Sequence, residues 1–234
     1  MRKRKILVTG SSGSIGRKIT ELLLSKGFTV VGIVRKKSND KIRNKNYFSF
    51  ELDFSVIDNL VHDLKNILAI HSDIDGFISC SGYGDFRKIE NFSSKDILKI
   101  FNVNIISQII ISSELIPSLK IKKFGNIIFI GSDAALKGSK NGSLYCSTKF
   151  GIRGFSQSIR EECASSNIKV TLLNLGMVDT KFYQNLKFKP GKDISNHINI
   201  EDISNIIFNV LISSEGTVFD EINISPQKKV INFK

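Results

Sequence analysis

The sequence predicts an α/β fold: a doubly wound parallel sheet of about seven strands with helices on both faces. Two observations carry this prediction. Apolar segments typical of strands alternate with helical patterns along the chain, and a glycine-rich turn follows the first apolar segment. The apolar segments centre near Ile6, Val30, Phe48, Phe77, Ile128, Val170 and Ile222, and the helical patterns near Ile19, Leu60, Ile106, Ile152 and Ile206. With 234 residues the chain is long enough for one sizeable core, so we expect a single domain over 1–234.

The first apolar run, Ile6-Leu7-Val8, is followed by a glycine-rich stretch and then by a helical pattern. Glycines allow a sharp turn and a close approach of phosphates, while the start of the next helix offers free N–H groups and the positive end of its dipole. Strand, tight turn and helix in this order predict the pyrophosphate site of a dinucleotide. The predicted contacts are Gly10, Ser11, Ser12, Gly13, Ser14, Ile15 and Gly16. Taken alone, such a stretch also fits a plain loop.

Tyr145 and Lys149 stand four residues apart in a segment, 144–165, that has a helical pattern and no proline. Both side chains therefore share one helix face. A tyrosine hydroxyl has a reference pKa of about 10, so it exchanges protons poorly near neutral pH unless a neighbouring cation stabilises its phenolate. Lys149 is placed to supply that cation. Without further support the pair also fits a packed tyrosine beside a solvated lysine.

Ser132 lies thirteen residues before Tyr145, at the end of the apolar strand predicted over 126–130. A hydroxyl at the carboxyl end of a parallel strand faces the crevice where such sheets bind ligands. With the glycine-rich stretch and the Tyr-x-x-x-Lys pair in register, the chain resembles the short-chain dehydrogenase/reductase family, which has a Rossmann-type fold. The resemblance extends from Lys5 to about Pro226.

The resemblance implies roles for four residues. Ser132 would hydrogen-bond the substrate oxygen, and Tyr145 would be the acid/base. Lys149 would lower the pKa of that tyrosine and bind the nicotinamide ribose. Asn104, in the segment FNVN, would position a water in the proton relay, although an amide there also fits a helix surface or a helix kink. The chain would then be an oxidoreductase that interconverts a carbonyl and a secondary alcohol on a small substrate.

The residues after the second predicted strand, Arg35-Lys36-Lys37, indicate which cofactor is bound. An acidic residue at this place binds the ribose 2′-OH of NAD, whereas a cation accommodates the 2′-phosphate of NADP. We therefore predict NADP rather than NAD, mainly through Arg35. A solvated basic turn is the other interpretation. By resemblance, the remaining cofactor contacts would be Asp53, Gly82, Val178 and Thr180. Asp53 also fits the cap of the helix that follows it.

Two segments depart from the family pattern. Ser79-Cys80-Ser81 replace the residues Asn-Asn-Ala before the conserved glycine of that family, and Leu175 replaces a proline. Losing the proline removes stiffness from the loop that would meet the nicotinamide. The segment 181–200 would form a substrate flap. Its mixture of aromatic and lysine residues predicts an apolar or aromatic small substrate with an anionic group.

Two other functional classes stay open. The formal net charge of +12, from 34 Lys and Arg against 22 Asp and Glu, is compatible with a basic nucleic-acid-binding protein. The lysines are spread along the chain, however, so we expect no nucleic-acid partner. A non-catalytic dinucleotide-binding regulatory protein is the second alternative, because a fold does not prove an activity.

The cysteines and histidines form no recognisable metal or triad pattern, so we expect no metal. The odd number of cysteines predicts reduced thiols at Cys80, Cys146 and Cys163. The histidines, expected at the surface or as helix caps, are His62, His71 and His197.

The basic N-terminus lacks the apolar core of a signal peptide, and no apolar run is long enough to span a membrane. We expect a cytoplasmic protein without a membrane partner. By resemblance, the helices predicted over 95–119 and 144–165 would pair across a two-fold axis and form a homodimer or homotetramer.

Overall fold

The computed structural model describes residues 3–37 and 42–233. The strands are β1 (Lys5–Thr9), β2 (Thr29–Val34), β3 (Tyr47–Glu51), β4 (Gly76–Ser79), β5 (Gly125–Ile130), β6 (Ile168–Leu175), β7 (Phe188–Pro190), β8 (Glu221–Ile224) and β9 (Ile231–Phe233). The helices are α1 (Ser14–Ser25), α2 (Leu60–Ile70), α3 (Ser94–Phe101), α4 (Ser107–Lys122), α5 (Ser143–Ala164) and α6 (Ile200–Leu211). A π-helical turn, Asn102–Ile106, joins α3 to α4.

Seven of the described strands form one parallel sheet in the order β3-β2-β1-β4-β5-β6-β8. In its centre, Leu7 of β1 lies opposite Val31 of β2 and Phe77 of β4. These central strands are almost continuous apolar runs, as expected for a parallel sheet that is covered on both faces. The predicted α/β fold with a parallel sheet of about seven strands is confirmed.

Helices cover the two faces of the sheet. On one face Leu64 of α2, Ile111 of α4 and Ile152 of α5 belong to a single apolar cluster with strand residues. On the other face Ile19 of α1 and Ile207 of α6 belong to a second cluster. Successive residues of β1 alternate between the two clusters because side chains alternate across a strand.

The winding of the sheet reverses between β1 and β4, with β2 and β3 on one side and β5, β6 and β8 on the other. In such sheets a ligand-binding crevice opens at the carboxyl ends of the two central strands. Here Thr9 Oγ1 accepts hydrogen bonds from the backbone N–H groups of Cys80 and Ser81 at 3.2 and 3.3 Å. These bonds join the ends of β1 and β4, so the segments that follow both strands lie side by side.

The continuous helical stretch Ser94–Lys122 is long and apolar enough, by length and composition, to cross a membrane. Ile111, Leu115 and Leu119 of this stretch are buried in the core against the sheet. A helix that packs its apolar face on a sheet passes the same test of composition. Burial against the sheet therefore accounts for these three apolar residues, whereas Leu98 and Ile121 of the same stretch are exposed.

A small two-stranded antiparallel sheet lies outside the main sheet. Its strands are β7, within the segment 181–200, and β9, with Phe188 opposite Phe233. The backbone N–H of Gly191 also donates to the carbonyl of Val230 at 2.9 Å. Three-residue strands are too short to show a periodic pattern, so this pairing could not be predicted from the sequence.

His71 takes one of the two positions expected for the histidines, that of a helix cap. It is the C-cap of α2 and is only 5% exposed. Its ring packs against Phe48 and Phe50, and its Nδ1 lies 3.5 Å from Lys5 Nζ. The sequence did not show that this cap is buried, since the strand that covers it is distant in the sequence.

Candidate active site

The glycine-rich stretch begins at the carboxyl end of β1 and leads directly into α1. Gly10 has a φ of +64°, in the left-handed region that favours glycine. A Cβ on Gly16 would overlap the backbone carbonyl of Gly10, so the turn and the helix can pack together only when residue 16 has no side chain. Gly13 is the N-cap and offers no side-chain hydrogen bond, while Ser12 beside it is half-buried. A helix start left open in this way fits a phosphate group of a dinucleotide.

The other residues of the stretch connect it to its surroundings. Ser11 is buried, and its Oγ hydrogen-bonds the hydroxyl of Tyr47 at 2.9 Å. Ser14 Oγ accepts a hydrogen bond from the backbone N–H of Lys181 at 3.4 Å. Ile15 lines a cavity of about 870 Å³ that is also lined by Ser132, Tyr145 and Lys149. The glycine-rich turn is therefore joined to both the β3 side of the sheet and the segment that follows β6.

Arg35 and Asp53 lie within electrostatic range of each other, at the ends of β2 and β3, and both are exposed. Burial raises the pKa of Asp53, but hydrogen bonds from Ser55 and the charges of Arg35 and Lys99 together outweigh this effect. The pKa therefore falls below the usual value of the carboxyl group. Asp53 accepts the backbone N–H of Ser55 at 2.9 Å, whereas Asn59 is the N-cap of α2. Asp53 is therefore not the cap of that helix.

The segment after β4, which departs from the family pattern, lies beside the predicted catalytic residues. Cys80 and Gly82 both line the cavity. Burial raises the pKa of the Cys80 thiol to about 12, so this side chain is a neutral packing group. A Cβ on Gly82 would lie 3.4 Å from Asn104 Oδ1 and 3.9 Å from Lys149 Nζ. The glycine that this segment retains thus lies against two of the four predicted catalytic side chains.

Asn104 is fully buried in the π-helical turn between α3 and α4. Its Nδ2 donates to the carbonyl of Tyr83 at 2.9 Å and to Thr148 Oγ1 at 3.2 Å, and its Oδ1 accepts the backbone N–H of Tyr83 at 3.0 Å. The extra residue of a π-turn turns a side chain out of the regular helical positions, and such turns are frequent at functional sites. The amide therefore clamps the loop after β4 to α5, which rules out the helix-surface interpretation.

Ser132 lies two residues beyond β5 and is buried. Its hydroxyl donates to Asp133 Oδ1 at 3.2 Å, and its Oγ accepts the backbone N–H of Ala134, also at 3.2 Å. Two of the hydrogen-bonding positions of this hydroxyl are thus occupied by its own loop.

Tyr145 and Lys149 lie on the first two turns of α5, and both are buried. Burial raises the pKa of Tyr145, although a hydrogen bond with Ser132 opposes this effect. Lys149 Nζ lies 5.7 Å from the centre of the Tyr145 ring and donates to the carbonyl of Ile130 at 2.9 Å. Burial lowers the pKa of Lys149 to about 8. The three groups expected at the reacting centre are thus brought to one wall of the cavity.

A model of the short chain dehydrogenases matches residues 4–190 of the sequence. The chain belongs to this family.

Curated relatives and solved structures resemble this short-chain dehydrogenase over most of its length. The 3-oxoacyl-acyl-carrier-protein reductase FabG of Buchnera aphidicola subsp. Schizaphis graminum is 29% identical over 198 residues, which cover 82% of this chain and 81% of that protein. The NADP-dependent 3-hydroxy acid dehydrogenase of Schizosaccharomyces pombe is 23% identical over an alignment 241 positions long, which covers 95% of this chain and 92% of that protein. An alcohol dehydrogenase from Thermococcus sibiricus, complexed with 5-hydroxy-NADP, superposes with a TM-score of 0.85 at 22% identity, covering 96% of this chain and 97% of that one. This last likeness concerns the fold.

In this short-chain dehydrogenase Leu175, in place of the family proline, is buried as the last residue of β6. Val178 forms an isolated bridge with Ile198 and is buried, and Thr180 Oγ1 accepts the backbone N–H of Phe182 at 3.3 Å. Val178 and Thr180 both line the cavity. The loop after β6 is therefore held by backbone and side-chain hydrogen bonds in place of the stiffness of a proline.

Sequence reasoning missed several residues of the cavity wall. The ring of Tyr145 packs on Phe86 and Phe182, with centroid distances of 5.1 and 5.9 Å. Asp133 lies beside Ser132, and the C-terminal segment contributes three lining residues, Lys229, Ile231 and Phe233. No signal in the sequence could have identified the C-terminal residues, because their place depends on the pairing of β7 with β9. Within the described parts of the chain, no group of three or more His, Cys, Asp or Glu side chains could hold a metal ion.

Proposed function

We propose that this chain is an NADP(H)-dependent oxidoreductase that interconverts a carbonyl and a secondary alcohol on a small substrate, with Tyr145 as the acid/base. One arrangement carries the proposal: Ser132, Tyr145 and Lys149 line the same cavity, which also reaches Ile15 of the glycine-rich turn. A bound nicotinamide would supply or accept the hydride. The chain itself then has to align the substrate oxygen and move one proton.

Burial raises the pKa of Tyr145, so the phenol is protonated near neutral pH and needs a neighbouring cation to exchange its proton readily. In reduction the phenol would give its proton to the carbonyl oxygen, and in oxidation it would take the alcohol proton. Ser132 would hydrogen-bond the same oxygen. Lys149, with its pKa lowered to about 8, would provide a positive charge that stabilises the phenolate during oxidation.

The preference for NADP rests on Arg35, which is exposed just after β2. The guanidinium group pairs well with a phosphate because it can form two parallel hydrogen bonds. The name of the S. pombe relative and the ligand of the T. sibiricus structure support the same cofactor.

The substrate class is suggested by the cavity and by the relatives. Aromatic rings surround Tyr145, and lysines lie at the outer part of the wall at positions 137, 140, 187 and 229. The curated relatives are named for 3-oxoacyl and 3-hydroxy acid substrates. We therefore propose a substrate with an apolar body, a 3-oxo or 3-hydroxy group and an anionic end. The segment 181–200 would act as its flap. The cytoplasmic location and the homodimer or homotetramer remain predictions.

The test is a panel of carbonyl and alcohol substrates, including 3-oxo and 3-hydroxy acids and esters, assayed with NADPH, NADH and both oxidised forms by absorbance. We expect turnover with NADP(H). Tyr145→Phe should keep the dinucleotide affinity within about threefold and lose at least about 100-fold in turnover. Dinucleotide binding without turnover across the panel would favour the non-catalytic regulatory protein, and full activity of Tyr145→Phe would refute the assigned acid/base. Salt-sensitive binding of an oligonucleotide would support the nucleic-acid alternative.

A further inference from the structure

Asp133 lies between the predicted catalytic serine and a lysine from the other end of the chain. One carboxylate oxygen, Oδ1, accepts the hydrogen bond from the Ser132 hydroxyl at 3.2 Å, and the other, Oδ2, lies 3.8 Å from Lys229 Nζ. All three residues line the cavity, and Asp133 is the one acidic residue among the described residues of its wall. A single carboxylate therefore connects Ser132 to the C-terminal segment.

The backbone of the C-terminal segment holds Lys229 in place. On one side of it, the N–H of Lys228 donates to the carbonyl of Ser195 at 2.8 Å. On the other side, the carbonyl of Val230 accepts the N–H of Gly191 at 2.9 Å, and β9 continues the pairing with β7. The backbone position from which the Lys229 side chain reaches Asp133 thus depends on the contact between the flap and the C-terminal segment.

We propose that Asp133 is a positioning residue that acts through Ser132 and Tyr145, and that Lys229 offsets its negative charge. This proposal rests on the proposed function, since it concerns the acid/base assigned there. It adds a link between the closure of the flap and the proton affinity of the acid/base.

The hydrogen bonds of Ser132 explain the positioning. Its hydroxyl donates to Asp133 and its oxygen accepts the N–H of Ala134, so these two bonds fix the position of a hydroxyl that lies within hydrogen-bonding range of the Tyr145 phenol. Replacing Asp133 by a residue without an acceptor would release the hydroxyl to other rotamers. Ser132 would then be oriented for only part of the time.

The charge of Asp133 acts on Tyr145 as well. Besides burial and the bond from Ser132, the groups that face this phenol are Asp133, Tyr183, Cys146 and the more distant ammonium of Lys149. A negative carboxylate opposes the phenolate and raises the pKa of Tyr145. The nearby cation of Lys229 offsets this effect, so loss of the lysine should raise the pKa of the phenol further.

The experiment measures the pH profile of kcat/KM for oxidation, with NADP+ and the fastest alcohol of the panel. Asp133→Asn keeps an acceptor for Ser132 and removes the charge, so the apparent pKa of the base should fall by roughly half a pH unit with the plateau rate changed less than about threefold. Asp133→Ala removes the acceptor too, so its plateau kcat should fall by about tenfold at nearly constant KM.

Lys229→Gln should raise the apparent pKa of the base. When the same substitution is made in the Asp133→Asn variant, the rise in pKa should be less than half as large. Lys228→Gln, the matched control outside the cavity, should leave the profile unchanged.

Each outcome bears on the proposal. Unshifted profiles for Asp133→Asn and Lys229→Gln, in enzymes that still lose turnover on Tyr145→Phe, would overturn it and leave the proposed function intact. Full activity of Tyr145→Phe would overturn the proposed function itself. Lys229 is exposed, so its variant should fold even if changes at Asp133 affect expression. A shift of equal size for Lys228→Gln would attribute the effect to general surface charge and contradict the proposal.

Discussion

The Lys149 ammonium group donates a hydrogen bond of 2.9 Å to the carbonyl of Ile130, the last residue of β5. This bond ties the helix that carries Tyr145 to the strand that leads to Ser132. The serine and the tyrosine reach the cavity from different elements of the fold, so their relative position depends on such contacts. Lys149 therefore has a structural partner in addition to its predicted effect on the phenol.

Replacing Lys149 by Met should separate these two contributions. We expect turnover to fall at least about 100-fold because no cation then stabilises the phenolate. The free energy of unfolding should fall by roughly 1–3 kcal/mol because the buried carbonyl of Ile130 loses its donor. Steady-state kinetics and urea unfolding measure the two effects. An unchanged kcat would contradict the catalytic part, while an unchanged stability would contradict the structural part.

Arg35→Asp should reverse the cofactor preference. A carboxylate at this place repels a 2′-phosphate and can accept a hydrogen bond from a ribose 2′-OH. The ratio of NADP+ to NAD+ affinity should fall at least about tenfold, as expected for losing a charge-assisted hydrogen bond. Titration calorimetry measures both dissociation constants. The control is Lys26→Asp, the same change of charge at the C-cap of α1. An equal change of the ratio in both variants would show that only net charge matters.

Gly16→Ala should damage the dinucleotide site and the fold together. The added Cβ would overlap the carbonyl oxygen of Gly10. Both atoms are attached directly to the backbone, so neither can move aside as the end of a flexible side chain would. We expect the free energy of unfolding to fall by about 1–3 kcal/mol and NADP(H) affinity to fall about tenfold. Gly216→Ala is the matched control, because a Cβ at residue 216 would have no heavy atom within 4 Å. This control should be neutral or slightly stabilising.

Asp75→Ala should unfold the protein more easily. Arg4 Nε donates to Asp75 Oδ1 at 2.9 Å, its Nη1 donates to the carbonyl of Leu211 at 2.8 Å, and both charged residues are buried. Removing one partner leaves a buried charge, which costs about 3–5 kcal/mol. Urea unfolding should show this loss. Arg17→Ala breaks the exposed pair with Glu21 and should cost less than about 0.5 kcal/mol. Similar losses in both variants would contradict the role of burial.

His71 should make stability depend on pH. Burial and the charge of Lys5 lower the pKa of His71, and Asp73 opposes them only in part. The unfolded chain therefore binds a proton first as the pH falls below about 6.5, so stability is lost from there down to the lowered folded pKa. His71→Asn should flatten the unfolding free energy over this range. His62→Gln, at an exposed histidine, should leave the pH dependence unchanged. A profile that is identical in His71→Asn and the parent would contradict the prediction.

The local pattern of apolar and polar residues was enough to predict much of the fold. The apolar strands and amphipathic helices alternate along the chain, and the glycine-rich turn joins the first strand to the first helix as expected. Ser132, Tyr145 and Lys149 line one cavity, and Asn104 hydrogen-bonds Tyr83 in the loop that also lines it. That these four residues form the catalytic site stays a prediction. Their chemical roles still await the experiments above.

Other features had no local signal. The burial of His71, the link from Ser132 through Asp133 to Lys229, and the pairing of β7 with β9 all join segments that are far apart in the sequence.

The sequence by itself determined the order of strands and helices and the glycine-rich turn between β1 and α1, since these follow from periodicity and short motifs. It also predicted the residues of the candidate site, through the family resemblance. Only the tertiary structure decided which aromatic rings surround Tyr145, which distant charge lies beside Asp133 and which C-terminal residues line the cavity. The physical reason is that hydrophobic periodicity acts between near neighbours in the chain, whereas burial and electrostatic interaction depend on distance in space.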